Sequence, residues 1–184
     1  MNNPVILSVT LIQSDLHWEN PEANRNMFTE KIKQISGQTD LIILPEMFTT
    51  GFSMKASELA ETMDGPTMQW FSQQANSSNA VVTGSFIAED NGQYFNRLIW
   101  MQPNGEFFIY DKKHLFTLAK EHEHYTAGEQ RLIVELKGWK ICPLICYDLR
   151  FPVWSRNTVD YDLLIYTASW PVMRAEAWLS LIHI

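Results

Sequence analysis

The chain has 184 residues, 46% of them apolar, with 14 basic and 21 acidic side chains for a net charge of −7. That is enough apolar chain for one domain with a sizeable core, and the acidic balance argues against nucleic acid or an anionic membrane surface as the main partner. No apolar run reaches membrane-spanning length, and Met1 is followed by Asn2, Asn3 and Pro4 rather than a basic segment, so neither a membrane span nor a signal peptide is expected and the cytosol is the simplest location.

Residues 5–13 form a continuous apolar run that reads as a strand buried on both faces. Asn20-Pro21 is a helix start, with Asn as cap and Pro in the first turn; Ala23, Met27, Phe28, Ile32 and Ile35 follow on one face, and Gly37 ends it. Residues 41–44 make a second short buried strand, which completes a βαβ unit and predicts a layered α/β fold. That strand runs into Pro45 and Glu46. A carboxylate just past a strand end, beside Met47, Phe48 and Phe52, would be partly desolvated and suited to carrying a proton; a surface glutamate or helix cap is the plainer reading.

Gly65-Pro66 opens a second helix, with Met68, Phe71 and Ala75 inward and Gln73, Gln74 and Asn76 outward. Residues 80–86, 96–101 and 106–110 then read as a strand meander, with turns at Asn91-Gly92 and Pro103-Asn104-Gly105. From Asp111 to Gln130 the periodicity is lost, and a loop this long in a compact domain is usually functional. It carries Lys112, Lys113, His114, Glu121, His122, Glu123 and His124. Residues 132–135 and 140–145 are strands around Gly138, and Pro143 predicts an edge or a bulge in the second. A short helix over 153–157, a buried strand over 163–167 and a helix beginning at 175 complete the order.

Within ICPLICYDLRFP, residues 141–152, the apolar strand delivers Cys146 to a tyrosine, an aspartate and an arginine before a proline stops it. A thiol at the carboxyl end of a buried strand suits a nucleophile; an inert core cysteine is the alternative. Glu46, Lys112 and Cys146 each follow an apolar strand at or just past its carboxyl end, so neighbouring strands of one sheet would bring them to one rim. A carboxylate to take a proton, an ammonium to stabilise an oxyanion and a thiol to attack a carbonyl make a complete acyl-transfer set without histidine. The backbone N–H of Tyr147 is placed to be a second oxyanion donor.

LPEMFTTGF around Glu46, YDKKHLF around Lys112 and CYDLRFP around Cys146 resemble, in order and spacing, the three motifs of the nitrilase superfamily of carbon–nitrogen hydrolases. The resemblance runs from Val5 to about Leu181, and KEHEHYTAG and FPVWSRN are most similar to the omega-amidases that act on 2-oxoglutaramate and related 2-oxo acid amides. It implies an α/β fold of αββα sandwich type, incomplete at the carboxyl end, as a single domain over residues 1–184 that forms a homodimer when full length. It further implies cofactor-free and metal-free hydrolysis of a small amide. Cys146 attacks, Glu46 moves the protons, and Lys112 with the Tyr147 N–H holds the oxyanion. Glu121, seven residues before Gly128, matches the superfamily's second glutamate, with Glu123 as the fallback. Trp170 in SWP matches a position near the substrate, and Phe116 and His124 complete the expected substrate-binding set. Superfamily members are usually longer, so a truncated chain whose last residues, 179–184, are not native is also expected. Another amide or nitrile hydrolase of the same superfamily, or an inactive fragment acting as a binding module, stays open.

Four side readings accompany this one. His114, His122, His124, Glu121 and Glu123 could be metal ligands, but their spacing fits no structural zinc pattern; His114 is expected beside the lysine, and His122 and His124 at the mouth. Cys142 and Cys146 would stand ~13 Å apart along a strand, too far for a disulfide, so Cys142 is expected in the core. Arg150 is expected to pair with a carboxylate inside the fold. Arg174 is a possible cation for a substrate carboxylate.

Overall fold

Two sheets stacked face to face position everything else in the computed structural model, which describes residues 5–182. The readings of residues 1–4 and of His183 and Ile184 therefore lie outside the described residues. The first sheet has five strands in sequence order: β1 (Val9–Leu11), β2 (Leu41–Ile43), β3 (Val81–Asp90), β4 (Gln93–Met101) and β5 (Phe107–Asp111). The β1–β2 and β2–β3 pairs are parallel, and β3–β4 and β4–β5 are antiparallel. Consequently β2 and β5 run the same way, and their carboxyl ends lie on one rim. The second sheet contains β6 (Val134–Leu136), β7 (Trp139–Ile145) and β8 (Leu163–Thr167), with β7 in the middle, antiparallel to β6 and parallel to β8.

Helices α1 (Pro21–Ile35) and α3 (Pro66–Ser78) cover the outer face of the first sheet, where Phe28, Ile32 and Phe71 meet Ile42, Val82 and Ile99. Because side chains alternate along a strand, Leu41 and Ile43 face the other way, into the layer between the sheets, with Val81, Trp100, Val134, Ile141 and Ile165. A one-turn helix, α2 (Ala56–Leu59), follows the Glu46 segment. The short α4 (Pro152–Ser155) and the closing α5 (Ala175–Ile182) flank β8. Among the described residues no helix is long and apolar enough to cross a membrane.

The α1 cap is as expected, Asn20 Oδ1 accepting the Ala23 N–H at 3.1 Å, and the Asn91-Gly92 turn joins the paired residues Asp90 and Gln93. Four expectations are corrected. The first strand is short and exposed, with Leu11 at 73%, because β1 is an edge strand with β2 as its one neighbour. Gln74 is buried on the inner face of α3, in phase with Thr67, Phe71 and Ser78. Pro143 lies in the central strand of its sheet, not in an edge strand or bulge; it is tolerated there because β6 pairs only as far as Ile141, leaving that side of β7 open at Pro143. Arg150 is exposed and makes no ion pair among the described residues, since the turn after Cys146 points it outward. The buried arginine of this fold is Arg97, clamped by Asp111 and Asp90.

Candidate active site

Glu46 stands where the chain leaves β2 and is held against β3. Leu44 and Phe48 donate their N–H groups to the carbonyls of Thr83 and Ser85, and the Met47 N–H donates to Ser85 Oγ at 2.9 Å. Met47 itself has φ +46°, a left-handed turn that redirects the chain immediately after the carboxylate. The result is a fully buried glutamate that accepts from three protein donors. Oε1 accepts from Asn96 Nδ2 at 2.9 Å and from Lys112 Nζ at 2.8 Å, and Oε2 accepts the Ser169 N–H at 2.9 Å.

Lys112 follows β5 directly. Its N–H donates to the Asn96 carbonyl at 3.0 Å, and its own carbonyl accepts from the Gly128 N–H at 2.9 Å, so the returning loop clamps it from the other side. Its ammonium reaches both oxygens of Glu121, at 3.1 and 3.0 Å, besides Glu46. Burial by itself would depress an ammonium pKa; here the charges of Glu46 and Glu121 outweigh it and hold Lys112 above its ordinary value. Glu121 opens a one-turn 3-10 helix, Glu121–Glu123, and its Oε2 also accepts the backbone N–H of Phe116. Burial raises the Glu121 pKa, with Lys112 opposing and Glu46 adding to the rise.

Cys146 begins a 3-10 turn, Cys146–Arg150, at the carboxyl end of β7, and has φ +41°. A non-glycine residue in this region costs about 1–3 kcal/mol and is kept only where its surroundings hold it, a common property of reacting turns. Here Asp148 does the holding: its fully buried carboxylate accepts the Ile145 N–H at 3.1 Å and the Tyr110 hydroxyl at 2.6 Å on one oxygen, and the His114 N–H at 3.0 Å on the other. Burial pushes the Cys146 thiol well above its ordinary pKa and the Glu46 carboxylate adds to the rise, against the pull of Lys112. Burial therefore favours the protonated thiol over the thiolate in the resting site, next to Glu46.

Glu46, Lys112 and Cys146 line one narrow cavity together with Phe52, Phe116, Tyr147, Ser169, Trp170, Pro171 and Arg174. The three groups do meet, but across two sheets rather than on the rim of one: Glu46 and Lys112 leave the first sheet and Cys146 the second. Tyr147, Phe116 and Trp170 are in the cavity wall, with the Phe116 and Tyr147 rings 4.9 Å apart. His124 is not brought there. Its place after the Glu121–Glu123 turn leaves it exposed, as are His122 and Glu123, while Glu121 alone of that run turns inward. His114 contacts Asp148 through Nδ1 at 2.8 Å and stacks on Phe151, so the five residues that could have been metal ligands are dispersed. Cys142 is buried with Leu98 and Leu144, its thiol pushed up to about 11 by burial. Asn96, which donates to Glu46 and lies 3.3 Å from Glu121, and the Asp148–Tyr110 pair are the site residues that sequence reasoning missed. The one signal for Asn96 was a polar amide within a strand that is apolar from Leu98 onward.

The carbon-nitrogen hydrolase family model matches residues 8–183. The chain is 45% identical to the omega-amidase YafV of Escherichia coli (strain K12) over 176 residues, which cover 96% of this chain and 68% of that relative. It is 32% identical to the 2-oxoglutaramate amidase of Bacillus subtilis (strain 168), over 95% of this chain and 70% of that protein. Among solved structures, XC1258 of Xanthomonas campestris, a CN-hydrolase superfamily protein with an arsenic adduct in its active site, superposes with a TM-score of 0.92 at 46% identity, over 95% of this chain and 69% of its own. Saccharomyces cerevisiae Nit3, a member of branch 10 of the nitrilase superfamily, superposes at 0.79 with 25% identity. With a family match over nearly its whole length and relatives of this identity, the chain belongs to the carbon-nitrogen hydrolase family.

Proposed function

We propose that this protein hydrolyses the side-chain amide of a 2-oxo acid of the 2-oxoglutaramate type to the acid and ammonia, through a thioester on Cys146. The observation that carries the chemistry is the buried contact of Lys112 Nζ with Glu46 Oε1 at 2.8 Å in the cavity that Cys146 also lines. The substrate class is supported by the names of the omega-amidase and 2-oxoglutaramate amidase relatives.

In this reading Cys146 Sγ attacks the amide carbon as its proton passes to Glu46, which suits a thiol that burial keeps protonated beside a carboxylate. The carbonyl oxygen becomes an oxyanion held by the Lys112 ammonium and the Tyr147 N–H. Glu46 gives its proton to the departing nitrogen, the C–N bond breaks, and ammonia leaves a thioester. Water then attacks the thioester, losing a proton to Glu46, and collapse releases the carboxylic acid and returns that proton to the thiolate. Glu121 keeps Lys112 in place and charged. Nucleophile, base and oxyanion cation all come from the chain, so the scheme needs neither metal nor cofactor.

The same reading takes residues 1–184 as one carbon-nitrogen hydrolase domain of a protein that is cytoplasmic and, when full length, a homodimer. It draws on the family match over 8–183, on the family resemblance and on two free cysteines suited to a reducing compartment. The net charge of −7 favours a small-molecule substrate over nucleic acid. Ammonia release from 2-oxoglutaramate, glutamine and a simple nitrile, measured beside Cys146→Ala, tests the function. Turnover of the oxo amide above the others, lost in the variant, is the expected result; turnover of the nitrile alone would replace amidase with nitrilase.

A further inference from the structure

Glu46 and Lys112 in the cavity wall and Glu121 behind it satisfy one another. Lys112 is shared between Glu46 and Glu121, so this cluster carries no surplus positive charge to offer a substrate. Arg174 is the other cation in the cavity wall, and it has no carboxylate partner and donates no side-chain hydrogen bond among the described residues. It is nevertheless placed. Its guanidinium lies over the Phe116 ring at 5.1 Å and near the Trp170 ring at 5.8 Å, and its backbone carbonyl accepts from Trp170 Nε1 at 2.6 Å.

Stacking engages the faces of a guanidinium and leaves its N–H edge free, the edge that matches a carboxylate with two parallel hydrogen bonds. The rings also connect the two cations. Lys112 Nζ is 5.0 Å from the Phe52 ring, Phe52 is 6.4 Å from Phe116, and Phe116 is 5.1 Å from Arg174. A substrate whose amide reaches Cys146 beside Lys112 can therefore lay an apolar chain along Phe52 and Phe116 and present an anion at Arg174.

We infer that Arg174 is the specificity residue of this site, binding the carboxylate at the far end of a linear amide; this rests on the proposed amidase reading. Its aromatic seat does the work that an acidic partner would do elsewhere, without neutralising it. An arginine paired with an aspartate would be occupied before substrate arrived.

The test uses the full chain as wild type, Arg174→Met and Arg174→Lys. The readout is the ratio of kcat/KM for 2-oxoglutaramate to kcat/KM for pentanamide, which lacks the charge. Losing one member of a desolvated charge pair should lower that ratio about 30-fold or more in the Met variant, mainly through KM, with partial recovery in the Lys variant. Equal losses on both amides would mean a structural role and would overturn the inference, as would a ratio within about threefold of wild type. If wild type itself shows no preference for the charged amide, the proposed substrate class fails independently. Glutarate binding, followed by tryptophan fluorescence with dimethyl glutarate as the control, then decides Arg174: a Kd about 30-fold weaker in the Met variant supports it, and an unchanged Kd sinks it.

Discussion

Asp148 and His114 lie 34 positions apart, yet one oxygen of the Asp148 carboxylate meets both the backbone N–H of His114, at 3.0 Å, and its ring Nδ1, at 2.8 Å. The other oxygen takes the Tyr110 hydroxyl and the Ile145 N–H. One buried anion therefore ties the segment two residues beyond Lys112 to the strand end just before Cys146. The two sheets are registered at the reacting groups by this carboxylate rather than by apolar contact alone, because apolar packing is non-directional and hydrogen bonds are not.

Asp148→Asn is therefore expected to lose activity without touching substrate. An amide presents one acceptor oxygen where the carboxylate presents two, so at least one buried donor is left unpaired, at about 2–4 kcal/mol of stability. Loosening the Cys146 turn should lower kcat by about 100-fold with a smaller change in KM, as misplacement of a reacting atom does. Thermal melting and steady-state kinetics measure the two effects separately.

Glu121→Gln leaves an oxygen for the Phe116 N–H but removes one of the two anions that hold Lys112 charged. Lys112 sits above its ordinary pKa because Glu46 and Glu121 outweigh burial, so losing one anion moves it down. The alkaline edge of kcat/KM should shift to lower pH, and kcat should fall by about 10–100-fold at neutral pH. An unmoved alkaline edge would show that the edge belongs to another group.

Gly128→Ala tests the clamp on Lys112. A Cβ at this position would stand 2.1 Å from the Asp111 carbonyl oxygen, a rigid backbone atom that cannot yield. The loop must then lift away, breaking the Gly128 N–H contact to the Lys112 carbonyl. The expected cost is about 2–4 kcal/mol of stability, together with reduced activity from a displaced ammonium. Chemical denaturation of the variant measures it directly.

Stability should fall on the alkaline side. The Cys146 and Cys142 thiols and the Tyr110 hydroxyl all have folded pKa values raised by burial, Cys142 to about 11. Lys112 is raised by its carboxylates. A group whose folded pKa is raised contributes stability that is fully present below its unfolded pKa and is lost as pH rises through the folded value. The unfolded values are 9.0 for the thiols, 10.0 for Tyr110 and 10.5 for Lys112, so the melting temperature should begin to drop above about pH 9 and keep falling beyond pH 11. Alkylation of Cys146 by iodoacetamide should likewise be slow at neutral pH and accelerate with the same trend.

Strand and helix order, and the four groups Glu46, Lys112, Glu121 and Cys146, could be read from the chain because each sits in a local context. A strand end, a turn residue or a motif spans few residues. What could not be read was arrangement across distance. Nothing local distinguishes one sheet rim from two facing sheets, so the convergence was expected correctly and its architecture was not. Asn96 and Asp148 act through partners 25 to 50 and 34 to 38 residues away, respectively, and leave no periodic trace. The exposure of β1, the outward turn of Arg150 and the exposed His124 share that cause: each depends on which layer comes to lie beside the residue, a tertiary fact that hydropathy does not encode.

The proposed reaction turns on a covalent bond between Cys146 Sγ and the acyl carbon of a 2-oxo acid omega-amide. Mixing the protein with 2-oxoglutaramate, quenching in acid within the first turnovers and weighing the intact chain tests it most directly. An added acyl mass should map to Cys146, disappear as substrate is consumed and be absent in Cys146→Ala. Ammonia released at an undiminished rate by Cys146→Ala, or an adduct that maps to Cys142, would contradict it.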